Sequence, residues 1–174
     1  PLDTRQVGFV GDSAAGLELW LFVDADFAGD REDLKSTSGG FLVLAGPNSF
    51  FPLGHVCKKQ TAQSHSTPEA EIVALDAGVR TEGIPAVDLW EVILGRKPRL
   101  RVWEDNEATI KIVKSGKFPT MRHVKRVHAV SIMSLHDMAE KKVFDLEDCH
   151  TDVQAADIFT KHFTKGDEWE HRKQ

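Results

Sequence analysis

LELWLFVD, residues Leu17–Asp24, alternates at its start and then runs continuously apolar up to an acid. A strand that buries both of its faces reads this way. Outward from it, Gly39-Gly40 opens a second apolar run, FLVLA, which ends at the turn signal Gly46-Pro47-Asn48. A third run, Ser49–Cys57, follows closely enough to be the antiparallel neighbour of the second, although Pro52 and Gly54 weaken it. Three successive strands joined by short turns make a meander.

Beyond the meander the signals turn helical. Ser66-Thr67-Pro68-Glu69 offers a capping box from Ser66 to Glu69, or alternatively Thr67 as N-cap with Pro68 in the first helical position. A helix is expected from there to about Arg80, interrupted by Gly83 and Pro85, with a second piece over Ala86–Leu94 ending at Gly95. Leu100–Asp105 reads as a short strand. Asn106–Ser115 reads as a helix with Ala108, Ile110 and Ile112 inward, stopped by Gly116. A longer helix over Arg122–Glu140, a last strand over Val143–Cys149 and a last helix over Val153–His162 complete the chain. The order β-β-β-α-(α)-β-α-α-β-α predicts an α/β fold with a mixed five-stranded sheet, the meander plus two further strands, flanked by helices. The chain is expected to be a single domain over 1–174, with 1–16 and 164–174 peripheral or frayed.

A hydrophobic fraction of 41% and a charged fraction of 28% suit a soluble globular protein. No apolar run approaches the roughly 18 residues that span a bilayer, and the first residues lack a signal-peptide layout, so no membrane partner is expected. The start at Pro1, without methionine, suggests a piece of a longer protein. Cys57 and Cys149 lie far apart, with no CxxC or Cys/His cluster; a disulfide framework and a zinc site are both excluded, and a reducing, intracellular compartment fits. The net charge of −5 hides a segregation: residues 96–126 carry ten Lys/Arg against three acids, and the flanking parts twelve against twenty-four. Such a pattern serves a site that meets phosphates on one side and cations on the other, or simply forms a solvated basic face.

Four acids stand at informative positions. Asp24 lies where the first strand's apolar run breaks, Glu71 in the first turns of the first long helix, Asp105 at the end of the fourth strand, and Asp157 in the last helix. Strand tips and the first turn of an adjoining helix converge in such a sheet, and carboxylates gathered there repel one another unless divalent cations sit between them. Hard oxygen ligands partly open to water suit Mg²⁺, and two ions about 3.5–4 Å apart clamp an in-line phosphoryl displacement. Taken singly, each acid also has a structural reading, as turn former, helix cap, favourable helix-N-terminal charge or solvated residue.

Five segments carry a resemblance. VDADFAGDREDLKSTSGGFLVL (23–44), CKKQTAQSHSTPEAEIVAL (57–75), EDNEATIKIVKSGKF (104–118), RHVKRVH (122–128) and QAADIFTKHF (154–163) resemble, in the same order, the motifs of the ribonuclease H domain of copia-type (pseudovirus) LTR retrotransposon Pol polyproteins. The resemblance implies a ribonuclease H-like fold and two-metal-ion hydrolysis of the RNA strand of RNA–DNA hybrids during reverse transcription. It implies Asp24, Glu71, Asp105 and Asp157 as the catalytic, metal-binding acids, with two Mg²⁺ that Mn²⁺ replaces. It also implies an adjacent reverse transcriptase domain as partner, and a cytoplasmic retrotransposon particle or the nucleus as location. Departures from the pattern are Phe27 for Trp, Pro68 for Thr, Ile72 for Tyr, and Glu104 for Cys or Ser. Glu104 is expected to face solvent, because neighbours on a strand point opposite ways. Asp26 faces the same way as Asp24 only if the strand continues. His150, seven residues before Asp157, corresponds to the loop where cellular ribonucleases H carry a catalytic His; an exposed loop His is the preferred reading.

Contacts to hybrid phosphates are expected from Lys58, Lys59, Arg122, Lys125 and Arg126; Asn106 either donates to a sugar hydroxyl or, preferably, caps the following helix. Two rivals share the expected fold. A catalytically silent nucleic-acid-binding or scaffolding module leaves the intact acid set unexplained. An integrase-type nuclease needs a terminal Glu in the helix after the second Asp, where only Glu107 is available, too close to Asp105.

Overall fold

The computed structural model describes residues 7–30 and 32–161. The meander forms as β1 (Glu18–Asp26), β2 (Thr37–Gly46) and β3 (Ser49–Lys59), all antiparallel. Two strands join on the other side of β1 and run parallel to it: β4 (Leu100–Glu104) and β5 (Asp145–Asp148). The sheet order is β3-β2-β1-β4-β5, with β1 in the centre, and it is the mixed sheet of meander plus two strands expected from the sequence.

β1 is continuously apolar because it is buried on both faces. Leu19, Leu21 and Val23 point into the main core, with Leu42, Leu44, Leu100 and Val102 beside them and Ile72, Leu75, Val79, Val113 and Leu135 above. Trp20 and Phe22 point to the other face, against Val43, Trp103 and Ala156. Period-two alternation thus sends each strand's side chains into two separate apolar layers. The weak signals in β3 have a structural counterpart. The β2/β3 register shifts at Leu42/Val43, opposite Pro52–Gly54, and β3 is the edge strand, where proline is tolerated.

Above the main core lie α1 (Thr67–Gly78), α2 (Ile84–Leu94), α3 (Glu107–Ser115), α4 (Val124–Val127) and α5 (Ile132–Glu140). Ser66 is the N-cap of α1, its hydroxyl accepting from the Glu69 N–H. The expected interruption at Gly83 and Pro85 is instead a π-helical turn, Val79–Gly83, that carries α1 into α2. Pro85 stands in the first turn of α2, and the wider turn ahead of it absorbs its missing N–H. Gly95 and Gly116 end α2 and α3 with φ of 68° and 64°, as expected of helix-stopping glycines. In α3 the inward set is Thr109, Ile110 and Val113, with Ile112 packed at the margin; Ala108 is exposed, against expectation. The helix phase is fixed by Val113 entering the core, which turns Ala108 outward.

The helix expected over Arg122–Glu140 is two helices. Ala129 takes a left-handed φ of 60° and Ser131 begins α5 by accepting from the Ser134 N–H. The last helix is likewise shorter than expected: a 3₁₀ turn, Thr151–Val153, precedes α6 (Asp157–Thr160). His162 and the expected frayed segment 164–174 lie outside the described residues, as do 1–6; residues 7–16 are peripheral, with a 3₁₀ turn over Ala14–Gly16. Both cysteines are free. Among the described residues no helix is long and apolar enough to cross a membrane.

Candidate active site

The carboxyl ends of β1, β4 and β5 lie at one end of the sheet, because the three strands are parallel. Small residues bring the helices onto it. Ala70 and Ala74 of α1 pack on Ala25, and a Cβ on Gly78 would lie 2.8 Å from Val23 Cγ1, so α1 approaches the tip of β1 closely and delivers Glu71 there. On the opposite face, Gly39 is the cross-strand partner of Asp24; a Cβ on it would lie 2.6 Å from Thr160 Cγ2. That space admits α6. Gln154, fully buried, fixes the approach: its Nε2 donates to the Val23 carbonyl at 2.9 Å and its Oε1 accepts from the Ala156 N–H at 3.3 Å.

Asp24, Asp105 and Asp157 meet at this end, one oxygen of each within 4.8 Å of the others. Glu71 meets Asp105 too, but in a second group whose third member is Glu104, again within 4.8 Å. The expectation for Glu104 is therefore corrected. Its side chain is fully buried, because Leu100, Val102 and Glu104 share one face of β4 and that face is the main core. Asp105, just past the last residue of β4, is free of strand alternation, is only half-buried, and belongs to both groups. Two acids, Asp24 and Asp157, thus stand on one side of the sheet end and two, Glu71 and Glu104, on the other, with Asp105 between.

Burial dominates the electrostatics. Desolvation pushes the Asp24 carboxyl up to about 6, opposed by the Thr160 hydroxyl, which donates to Asp24 Oδ2, and by the Lys161 ammonium; Asp157 and Asp105 add to the rise. Glu71 is raised further by burial, then by the charges of Glu104, Asp24 and Asp105. Glu104 is raised well above the ordinary carboxyl range by burial, against the Asn106 N–H that donates to its Oε1 at 3.0 Å. Cys149 nearby is pushed up to about 12 by burial, then by the charges of Asp105, Glu104, Asp148 and Asp157. Lys161 balances part of this charge, donating to Asp157 Oδ1 at 2.6 Å one helical turn away. Glu71 Oε2 and Glu104 Oε2 are buried and accept no hydrogen bond from any described residue. Buried carboxylate oxygens without donors, in a cluster of hard oxygen ligands, fit a hard divalent cation.

Other candidates are dispersed. Asn106 caps α3, its Oδ1 accepting from the Thr109 N–H at 3.0 Å, the preferred reading. β1 continues through Asp26, which nevertheless joins neither acid group among the described residues. His150 is exposed and caps the 3₁₀ turn, its Nδ1 accepting from the Asp152 N–H at 3.2 Å. Lys58 and Lys59 stand opposite Ser38 and Thr37, at the same sheet end as Asp24 but two strands away, about 10 Å. Lys59 already binds Asp30 at 2.5 Å and Asp33 at 3.0 Å. Arg122, Lys125 and Arg126 are exposed on and before α4. That segment is tied to the start of α1: Glu69, buried, accepts from His123 Nε2 at 3.1 Å, His128 Nε2 at 3.0 Å and the His65 N–H at 3.1 Å.

Sequence reasoning passed over Thr151, Thr160 and Lys161. Thr151 donates to Asp105 Oδ2 at 3.0 Å. Lys161, four residues after Asp157, was legible as a helical acid–base pair. The two threonines leave no comparable signal, because each meets an acid distant in sequence.

No protein-family model matches the chain. Among solved structures it is similar to an RNase H1, LC11, isolated from compost by a metagenomic approach: 17% identity, TM-score 0.48, covering 82% of this chain and 92% of that one. It is similar to the N-terminal RNase H domain of a Mycobacterium tuberculosis protein at 16% identity and TM-score 0.48, covering 91% and 97%. RNase H1 from Halobacterium salinarum follows at 14% and 0.47, covering 82% and 94%.

Proposed function

We propose that this chain is a ribonuclease H, a metal-dependent endonuclease that hydrolyses the RNA strand of RNA–DNA hybrids. The observation that carries this reading is the meeting of Asp24, Asp105 and Asp157 at one sheet end, with Glu71 joined to them through Asp105. Asp24, Asp105, Asp157 and Glu71 would hold Mg²⁺, which Mn²⁺ replaces. When bound, a pair of such cations activates the attacking water and stabilises the leaving 3′ oxygen, giving 3′-hydroxyl and 5′-phosphate ends.

The chain's own residues do the rest. Thr160 and Lys161 orient Asp24 and Asp157 from α6, and Thr151 orients Asp105. Arg122, Lys125 and Arg126 offer exposed cations to phosphates, with Lys58 and Lys59 at the same sheet end as Asp24. The five ordered motif resemblances support a copia-type retrotransposon polyprotein as the setting, with a reverse transcriptase domain alongside and a cytoplasmic particle or the nucleus as the place of action.

The test is cleavage of a labelled RNA–DNA hybrid with Mg²⁺, with an EDTA control and Asp24→Asn or Asp105→Asn alongside. Metal-dependent loss of the RNA strand, absent in both variants, is the expected result. Cleavage by either variant at near the parent rate would remove the assigned site. Hybrid binding without cleavage, persisting after the polymerase segment is supplied, would replace the nuclease with a silent binding module.

A further inference from the structure

The second acid group contains a residue outside the four-acid set. We infer that Glu104, together with Glu71 and Asp105, forms a divalent-cation site of its own on the α1 side of the sheet end, sharing Asp105 with the Asp24–Asp157 group.

Three observations converge on it. One oxygen each from Glu71, Glu104 and Asp105 lies within 4.8 Å of the others, close enough for a single cation to bind all three. Glu104 is fully buried and Glu71 is 3% exposed, yet Glu71 Oε2 and Glu104 Oε2 meet no donor among the described residues. Buried polar oxygens are ordinarily satisfied, and two orphans within one group of three carboxylates call for a shared positive charge. Finally, Lys161, whose ammonium acts on Asp24, Asp157 and Asp105, bonds Asp157, and neither Glu71 nor Glu104 forms an ion pair among the described residues.

The remaining Glu104 oxygen is held by the Asn106 N–H, and Asn106 itself caps α3. The carboxylate is therefore aimed by a helix start rather than by a mobile side chain. Oxygen-only donors, three carboxylates and one half-buried member leave positions for water, the donor set of Mg²⁺ or Mn²⁺ rather than of zinc. Glu104 is also where this chain departs from the motif it resembles, which carries Cys or Ser there. The site deepens the nuclease reading, on which only its identification as one of the two catalytic cation positions rests; the binding itself does not depend on hydrolysis.

The experiment is a Mn²⁺ titration of the full chain by calorimetry and electron paramagnetic resonance, for the parent, Glu104→Gln, Glu104→Ser and Asp157→Asn. Circular dichroism confirms that each variant is folded, and Glu104→Ser stands in if Glu104→Gln is not. The expected result is a Mn²⁺ site weakened at least about tenfold by loss of Glu104 and retained in Asp157→Asn. Mn²⁺ binding equal in the parent and both Glu104 variants, or no binding by the parent, overturns the site. Hybrid cleavage measured on the same samples separates the two readings. Glu104-dependent binding without any cleavage, even after the polymerase segment is supplied, leaves the site standing and removes the nuclease; cleavage with Glu104-independent binding does the reverse.

Discussion

The Thr160 hydroxyl donates to the Asp24 carboxylate across 136 residues of sequence, joining the last described helix to the central strand. The contact exists because Gly39, opposite Asp24, leaves the room that the Thr160 methyl fills. Thr160→Val keeps the shape and removes the donor. It should destabilise the protein by about 1–3 kcal/mol, the range for a hydrogen bond to a buried charged group, as read from chemical denaturation at neutral pH. Gly39→Ala should do similar damage by a different route, pushing α6 off the sheet. A Thr160→Val variant as stable as the parent would mean the contact does not hold Asp24.

The acid cluster makes metal-free stability fall with rising pH. Asp24 titrates near 6 in the fold against an ordinary value of 3.8, so its protonated form favours the folded state. That stability is complete below about pH 4 and is lost as pH rises through about 6, a change on the order of 3 kcal/mol. Glu71 and Glu104, also raised, extend the loss to higher pH. In EDTA the melting temperature should therefore drop between pH 5 and pH 8. Saturating Mg²⁺ should restore it at pH 8 far more than at pH 5, since a cation at about 100 times its dissociation constant contributes roughly 2.7 kcal/mol. Melting curves across that range with and without Mg²⁺ decide it; a metal effect independent of pH would contradict the buried-acid account.

The same reasoning gives the neutralising variants an unusual sign. Glu71→Gln or Asp24→Asn should raise the melting temperature in EDTA while reducing its response to Mg²⁺. Loss of stability in EDTA for both would show that their charges are balanced by something other than a cation.

Glu69 couples the basic segment to the start of α1 through His123 and His128. With Glu69 and His128 both buried at the contact, Glu69→Ala leaves two imidazoles without their acceptor. It should cost about 1–3 kcal/mol and weaken hybrid binding more than it slows turnover of bound hybrid. Separate measurement of KM and kcat checks this, and an unchanged KM would deny α4 a part in binding.

Arg122→Ala and Arg126→Ala should each lower the slope of log affinity against log salt by up to about 0.9, the value for one duplex phosphate contact. Lys59→Ala should change the slope less, because Asp30 and Asp33 already hold its ammonium. Equal slopes for Lys59→Ala and Arg126→Ala would mean that this pairing yields to phosphate on binding.

Patterning alone reached the meander, the helix starts at Ser66 and Asn106, the stops at Gly95 and Gly116, and the four acids as a candidate set. These are local properties: period-two burial, caps and left-handed glycines act within a few residues and are written in residue type. Packing decided what local rules cannot see. The helix expected over 122–140 breaks at Ala129, beside the His128 that Glu69 holds, and Ala129 carries no breaker signal of its own. The interruption expected at Gly83 and Pro85 closes into a π turn once both flanking helices share one core. Glu104 shows the same limit at the site. Strand alternation, read alone, sends Glu104 to solvent, but Asp105 lies past the end of β4 and meets Glu104 in one acid group, so which acid faces inward depends on where the strand ends and what covers it. That phase is set by Val102 and Leu100 entering the core, a tertiary fact that buries the acid expected to face water.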